Sequence, residues 1–330
     1  MDAFAYARPA TLSEAIGLLG SSWSEAQVLA GGTDLISLMK EHVDAPARLV
    51  NIKGISELRR IREESGAYRI GSLVTFEELL GHAAIRNRLP ALAEAAAGVT
   101  SPQIRNMGTV GGDLLQRPRC WYYRAGYGLL ARDEKGQPLV PNGENRYHAI
   151  FATEGPAYFV SPSSLAPALI ALDAKLTLHG HGGSREIAAA GLFAIPKSQG
   201  DREHTIQPNE ILTEIAIPAS AREWRSATYE VRQKEALDWP LATASVALKM
   251  DGSRISAARV VMGHVAPTPW RSAAAERALE GKPLNEETAA AAADAAVADA
   301  KPLSHNAYKV QLARVSVKRA LLAIHSGSPS

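Results

Sequence analysis

At 330 residues with 46% hydrophobic side chains, the chain is long enough for two or three domains that each bury a core. The 36 Lys and Arg against 34 Asp and Glu leave a net charge of +2, and no basic run is present that would make a nucleic-acid groove. No window reaches about 18 consecutive apolar residues, and residues 1–16 lack a basic segment leading into an apolar one. Neither a membrane span nor a signal peptide is therefore expected, and the default compartment is the cytoplasm. The single cysteine, Cys120, cannot form an internal disulfide and cannot alone hold zinc or an iron–sulfur cluster, so redox chemistry requires a borrowed cofactor.

Thr11-Leu12-Ser13-Glu14-Ala15 starts a helix with a Ser/Glu cap signature. Residues 27–30 are expected as a strand, 34–42 as a helix and 48–52 as a second strand, which makes a small β-α-β unit. Residues 68–71 and Leu73 read as strand, Thr75 as the cap of a helix through Leu80, and 89–98 as an alanine-rich helix ending at Gly98. From 116 to 156 the periodicity fades, and a stretch this long without elements is a functional loop or an insertion. A short helix at 167–172 and a strand at 175–178 follow, then a hairpin turn at 180–184 into Arg185-Glu186-Ile187, and the main boundary is expected near Gly180. Beyond it, 210–218, 227–232, 242–250 and 255–262 read as four strands of one antiparallel sheet, the last two joined by an Asp251-Gly252 turn. Residues 273–325 are expected to be helical, with an alanine-rich helix over 286–300 and a last helix over 306–324 that places Tyr308, Leu312, Val315 and Leu322 on one face.

Gly31-Gly32 ends the strand at 27–30, and Thr33-Asp34 opens a helix. Backbone N–H groups and a helix start thus meet where no Cβ blocks a phosphate. The spacing matches neither G-x-G-x-x-G nor the P-loop, and alone it is ordinary turn structure. A second glycine turn, Asn106-Met107-Gly108-Thr109-Val110-Gly111-Gly112-Asp113, suits a diphosphate held from two sides.

With these two turns, AGGTDLISLMK, IRNMGTVGGDLL, SPSSLAPALIALDAKLTL, EILTEIAIP and HVAPTPWRSAAAERALEGK occur in this order. Together they resemble the FAD-binding (medium) subunits of the xanthine dehydrogenase family of molybdenum hydroxylases, which include those of aldehyde oxidoreductases and carbon monoxide dehydrogenase. The resemblance spans about residues 1–325. It implies an α+β, vanillyl-alcohol-oxidase-type (PCMH-type) FAD-binding fold: a βαβ sub-domain at 1–58, a second FAD-binding sub-domain at 59–180 with the loop at 116–156, and a C-terminal antiparallel sheet and helix domain at 181–330. It also implies non-covalent FAD. Leu29, Ala30, Gly31, Gly32, Thr33, Asp34 and Leu35 would wrap the pyrophosphate and ribityl chain, and Thr109, Gly111, Gly112 and Asp113 would complete those contacts. Leu212 would lie near the dimethylbenzene and adenine side, and Trp239 near the isoalloxazine ring.

The implied partners are a molybdopterin-bearing large subunit and a small subunit with 2Fe–2S clusters. The electron acceptor is left open between NAD, quinone, oxygen and ferredoxin, and a partner carrying an export signal would make the location periplasmic. Relatives often carry a lysine just after the aromatic residue matching Tyr229. Here Glu230 and Val231 stand there, which leaves Arg232 or Lys234 to supply positive charge beside the flavin. Some relatives hold a 4Fe–4S cluster in an insertion that begins in a segment like LLQRPRCWYY. This chain offers only Cys120 there, so no cluster is expected and Cys120 takes a packing role beside a loop held by Arg124, Tyr127, Asn145 and Tyr147. His264, His179 and His181 lack partners at metal-ligand spacing, and no metal site or catalytic acid or base is expected. The alternative from another class is a self-sufficient flavin oxidase or dehydrogenase of the same cofactor fold. It would need a substrate base or a covalent-flavin residue near the glycine turns, and none is visible.

Overall fold

The computed structural model describes residues 1–233 and 239–326; Lys234 lies outside them. In the first unit β1 (Ala5–Ala7), α1 (Leu12–Gly17), β2 (Gln27–Leu29), α2 (Leu35–Lys40) and β3 (Arg48–Asn51) form a three-stranded parallel sheet of order β1-β3-β2. The expected β-α-β unit is present. The cap is Thr11, which accepts from the Glu14 N–H, while the Ser13 of the expected Ser/Glu signature lies inside α1. Ala15, Ile16, Val50 and Ile52 form its core together with Leu58, Leu73 and Ile211 from the next unit.

The second unit runs β4 (Ile61–Glu64), β5 (Ala67–Gly71), α3 (Phe76–Gly81), α4 (Ala83–Arg88), α5 (Pro90–Ala97), α6 (Pro102–Met107), α7 (Val110–Leu114), α8 (Ala166–Ala171), β6 (Lys175–Gly180), β7 (Gly183–Ala188) and β8 (Ile211–Pro218). Thr75 starts α3 with a full capping box closed by Glu78. The sheet is antiparallel, of order β4-β5-β8-β6-β7. Two sequence expectations change here. Residues 211–218 do not join the C-terminal sheet; β8 is the central strand of this one, its Ile215 and Ile217 buried among Ile70, Leu92, Leu169 and Leu176. The turn at Gly180 therefore closes a hairpin inside a sheet, where Gly180 pairs with Gly183, instead of separating two domains.

The third unit holds β9 (Arg225–Val231), β10 (Ala242–Asp251), β11 (Arg254–Gly263) and β12 (Trp270–Arg271), antiparallel in the order β12-β11-β10-β9. α9 (Ala273–Leu279), α10 (Glu286–Val297) and α11 (Tyr308–Ser326) follow. The Asp251-Gly252 turn joins β10 to β11 as expected, with Gly252 at φ +57°. α11 buries a face offset from the expected one: Lys309, Ala313, Ser316, Val317, Ala320, Leu321 and Ile324 are buried, Leu312, Val315 and Leu322 are half-buried, and Tyr308 is exposed. Ala313, Ser316 and Ala320 let the helix lie close on the sheet, and Val317, Leu321 and Ile324 fill the contact beside them.

The 116–156 segment carries one π-helical turn, Tyr123–Tyr127, and is docked along its length. Ile150 and Phe151 enter the core of the third unit, and Phe151 stacks on Trp270 with ring centroids 4.8 Å apart. Asn145 Nδ2 donates to Ser304 Oγ (2.9 Å), and Asn145 Oδ1 accepts from the His305 N–H (2.9 Å). Of the residues expected to hold this loop, Asn145 is buried in these bonds and Arg124 pairs with Asp34, while Tyr127 and Tyr147 are exposed.

Candidate cofactor site

β2 ends at Leu29, and the first glycine turn, residues 30–34, leads into α2. The second follows α6, with Thr109 capping the short α7 through a 3.1 Å bond from the Gly112 N–H to Thr109 Oγ1. The turns touch. A Cβ on Gly31 would stand 1.9 Å from the Met107 carbonyl oxygen, so Gly31 is required by the neighbouring turn before any ligand arrives. Gly111 is closed in the same way, since its Cβ would stand 2.8 Å from Ser72 Cβ. Gly32 holds φ +78°, in the left-handed region. Gly112 differs from all three: it is exposed, and a Cβ there would meet only Thr109 Oγ1.

The two turns also differ in their free donors. In the second, the N–H groups of Val110, Gly111, Gly112 and Asp113 go to Val74 O, Ser72 O, Thr109 Oγ1 and Thr109 O. In the first, among the described residues, the N–H groups of Gly31, Gly32, Thr33 and Asp34 have no partner within the chain. Gly31, Gly32 and Asp34 are half-buried and Thr33 is exposed, and half-buried amides in that state call for an acceptor from outside.

The Asp34 carboxylate beside them is already neutralised. Oδ1 faces Arg119 (2.9 Å) and Arg124 (2.8 Å), and Oδ2 accepts from the Arg117 N–H (2.7 Å). It pins the start of the 116–156 segment and leaves the amides free for an anion. Asp113 is likewise turned inward. Its oxygens accept from Ser163 Oγ (2.5 Å), the Leu165 N–H (3.0 Å), the Ser164 N–H (3.2 Å) and Gln116 Nε2 (2.9 Å), which ties the second turn to the Ser-Pro-Ser-Ser segment.

Burial pushes the Asp113 carboxyl up to about 6, against the lowering effect of those hydrogen bonds. A carboxyl raised in the folded state contributes stability that is present below its unfolded pKa near 3.8 and is lost as pH rises through about 6. Measured by urea unfolding, the wild type should therefore lose stability relative to Asp113→Asn as pH rises from 4 to 6. A difference constant across that window would contradict the shift.

Two chambers meet at the turns. The first, of about 170 Å³, has an apolar end formed by Trp23, Ile52, Ile206 and Leu212; the second, of about 150 Å³, is lined by Val99, Ile104, Arg232 and Trp239. Thr33, Asp34, Gly112 and Gln116 line both. A ligand with two planar ends and a charged centre fits this plan, its centre lying at the open amides. Of the residues expected at the site, Ala30, Leu35, Thr109, Gly111 and Leu212 line the first chamber, and Asp113 and Trp239 the second. Leu29 lines neither; it is buried against Met39 and Leu49 because its side chain alternates to the core face of β2. Sequence reasoning missed Ser72, whose buried hydroxyl lacks a hydrogen-bond partner at the wall of the first chamber. Nothing in Gly71-Ser72-Leu73 marks it out. It also missed Arg119, whose guanidinium carbon lies 4.2 Å from the centre of the Trp239 ring.

A family model described as the FAD binding domain in molybdopterin dehydrogenase matches residues 2–220, and one for the CO dehydrogenase flavoprotein C-terminal domain matches 227–324. The chain belongs to this family of FAD-binding subunits. It is 34% identical over 325 residues to the carbon monoxide dehydrogenase medium chain of Hydrogenophaga pseudoflava, covering 97% of this chain and 96% of that one. It is 30% identical over 316 residues to the aldehyde oxidoreductase FAD-binding subunit PaoB of Escherichia coli, covering 95% and 96%. Among solved structures it superposes on a chain of Hydrogenophaga pseudoflava carbon monoxide dehydrogenase lacking the Mo-pyranopterin moiety, with a TM-score of 0.76 at 32% identity over 98% of both chains.

Within this family the departures noted in the sequence now have a structural setting. Glu230, at the usual lysine position, is buried and ion-paired with Arg232 behind Gly98, and burial pushes its carboxyl up against the pull of that guanidinium. The cation on the chamber wall therefore comes paired with its own counter-charge.

Cys120 Sγ lies 3.1 Å from His148 Nε2. Burial pushes the thiol up to about 11 and the imidazole down to about 4, so the pair is neutral at pH 7. Among the described residues no group of three or more His, Cys, Asp or Glu is placed to hold a metal ion. Buried His264 is spent on Thr243 Oγ1 (3.1 Å) and the Pro162 carbonyl (3.3 Å). Because its thiol stays protonated, Cys120 should react slowly with iodoacetamide at pH 8 in the folded chain, and Cys120→Ser should leave FAD content unchanged; alkylation as fast as that of a free thiol would contradict the raised pKa.

Proposed function

We propose that this chain holds FAD non-covalently across the two chambers and passes electrons from a partner's 2Fe–2S clusters through the flavin to an external acceptor. The electrons would originate at a molybdopterin-bearing large subunit, so the complex, and not this chain alone, would oxidise the substrate. The observation that carries the reading is the row of unpartnered amides at Gly31–Asp34 facing the bare Gly112 where the chambers join. Those amides would hold the diphosphate. Ser72 would offer its unpartnered hydroxyl to the ligand, Leu212 would pack an aromatic end in the first chamber, and Trp239 with Arg119 would wall the other end in the second. Asp113 would serve the cofactor by fixing the second turn, since its carboxylate and its N–H are both engaged within the chain. FAD supplies the conversion between two-electron and one-electron transfer. The units of the chain would be 1–58, a second running to about 220 as β8 requires, and the C-terminal unit beyond it.

Among the described residues no helix is long and apolar enough to cross a membrane. A cytoplasmic location, or a periplasmic one if a partner exports the complex, is part of the proposal. Aldehydes or purines added anaerobically to the FAD-loaded chain alone should leave the flavin yellow, and adding the partner subunits should bleach it. Bleaching without partners would favour a self-sufficient oxidase.

A further inference from the structure

A third cavity, of about 540 Å³, lies on the far side of the Arg119–Trp239 stack from the second chamber. Arg119, Trp239 and Pro240 line both, so the stacked pair is the partition between them. The geometry points to this cavity as the docking site of the electron acceptor, and to a small planar quinone as the class of acceptor it takes.

Its size falls within the range of about 300–1,000 Å³ usual for small-molecule sites. Trp121, Tyr147, Phe159 and Trp239 supply flat apolar walls, and the 116–156 segment contributes a whole side. Trp121 is held in place edge-on by the rings of Tyr147 (5.5 Å) and His148 (5.4 Å). The described lining includes no glycine, in contrast to the turns where the cofactor diphosphate is placed, and so lacks the bare backbone that a dinucleotide's pyrophosphate needs. A quinone needs none. It needs a flat slot and positive charge near two carbonyl oxygens that gain electron density on reduction. Arg119 and Arg124 lie on the wall; both pair with Asp34, and Arg124 also with Glu41, the one acid of the described lining, while Arg119 Nε is buried without a partner. Lys309 adds no free donor, because its ammonium already serves the carbonyls of Tyr147, His148 and His264.

The inference rests on the flavin occupying the second chamber. The quinone would take two electrons and two protons to become the hydroquinone. Both electrons and one proton would come from the reduced flavin as it returns to its oxidised form, and the second proton from the flavin or from water.

The test uses the FAD-loaded chain, photoreduced anaerobically and mixed with menadione, a soluble naphthoquinone, or with NAD. The reoxidation rate should saturate with menadione and not with NAD. Trp121→Ala and Tyr147→Leu should each raise the half-saturating concentration tenfold or more while FAD content stays at wild-type level. A rate rising linearly with menadione, half-saturation unchanged in both variants, or saturation by NAD alone would overturn the proposal. Menadione quenching of tryptophan fluorescence in the flavin-stripped chain reads the cavity without the cofactor. It should saturate in wild type and weaken in both variants, and its absence would also overturn the proposal. Failure of the FAD reading itself would show separately, as a purified chain that retains no flavin.

Discussion

Gly112→Val should yield a chain that folds and binds FAD at least about 100-fold more weakly, a loss of about 2.8 kcal/mol. Gly112 is the one glycine of the two turns that faces both chambers with no protein atom against it except its own cap, Thr109 Oγ1 at 2.9 Å. A branched side chain there fills the space opposite the open amides of the first turn, where the diphosphate is to lie. Its cost to the fold is limited to disturbing the Thr109 cap, about 1 kcal/mol. Thr109→Ala, which removes the same cap without adding bulk, should match the stability loss and still bind FAD more tightly than Gly112→Val. Flavin content after gel filtration, with unfolding midpoints for both variants, checks this.

Gly31→Ala should behave differently and lower stability outright. Its Cβ would stand 1.9 Å from the Met107 carbonyl oxygen and 2.8 Å from the carbonyl carbon, backbone atoms that no rotamer change can move away. The turns must separate, which costs about 3 kcal/mol by comparison with overpacked cores, and Tm should fall by roughly 5 °C or more. FAD should be lost as well, because the amides of the first turn no longer stand against Gly112. A Gly31→Ala chain with wild-type Tm would show that the turns do not touch in solution. Glycine variants of this site thus fall into two kinds, and Gly32 and Gly111 belong with Gly31, one through its positive φ and the other through Ser72.

The parts of the fold legible in the sequence are those set by local signals. Thr75 caps the helix it was positioned to cap, a helix starts where 11–15 signalled one, and Asp251-Gly252 turns the hairpin they spell. Pairing between distant segments carried no such signal. The 211–218 segment has the apolar character of a buried strand in either sheet, and only its ladders to β5 and β6 decide which one takes it. The first glycine turn was readable as an anion site because its chemistry is in the backbone. The roles of Asp34 and Asp113 were not, since their partners Arg119, Arg124, Ser163 and Leu165 lie 50 to 90 residues away or are backbone groups. Ser72 and the Arg119–Trp239 stack were invisible for the same reason.

The central claim is that one ligand spans both chambers with its diphosphate between the two turns. Fluorescence titration of the flavin-stripped chain with FAD and, separately, with FMN tests it most directly. FMN brings the flavin ring but only one phosphate and nothing for the other chamber. FAD should bind one to one and at least about 100-fold more tightly than FMN, a difference of about 2.8 kcal/mol. FMN binding as tightly as FAD, or no saturable binding of FAD, would contradict the account.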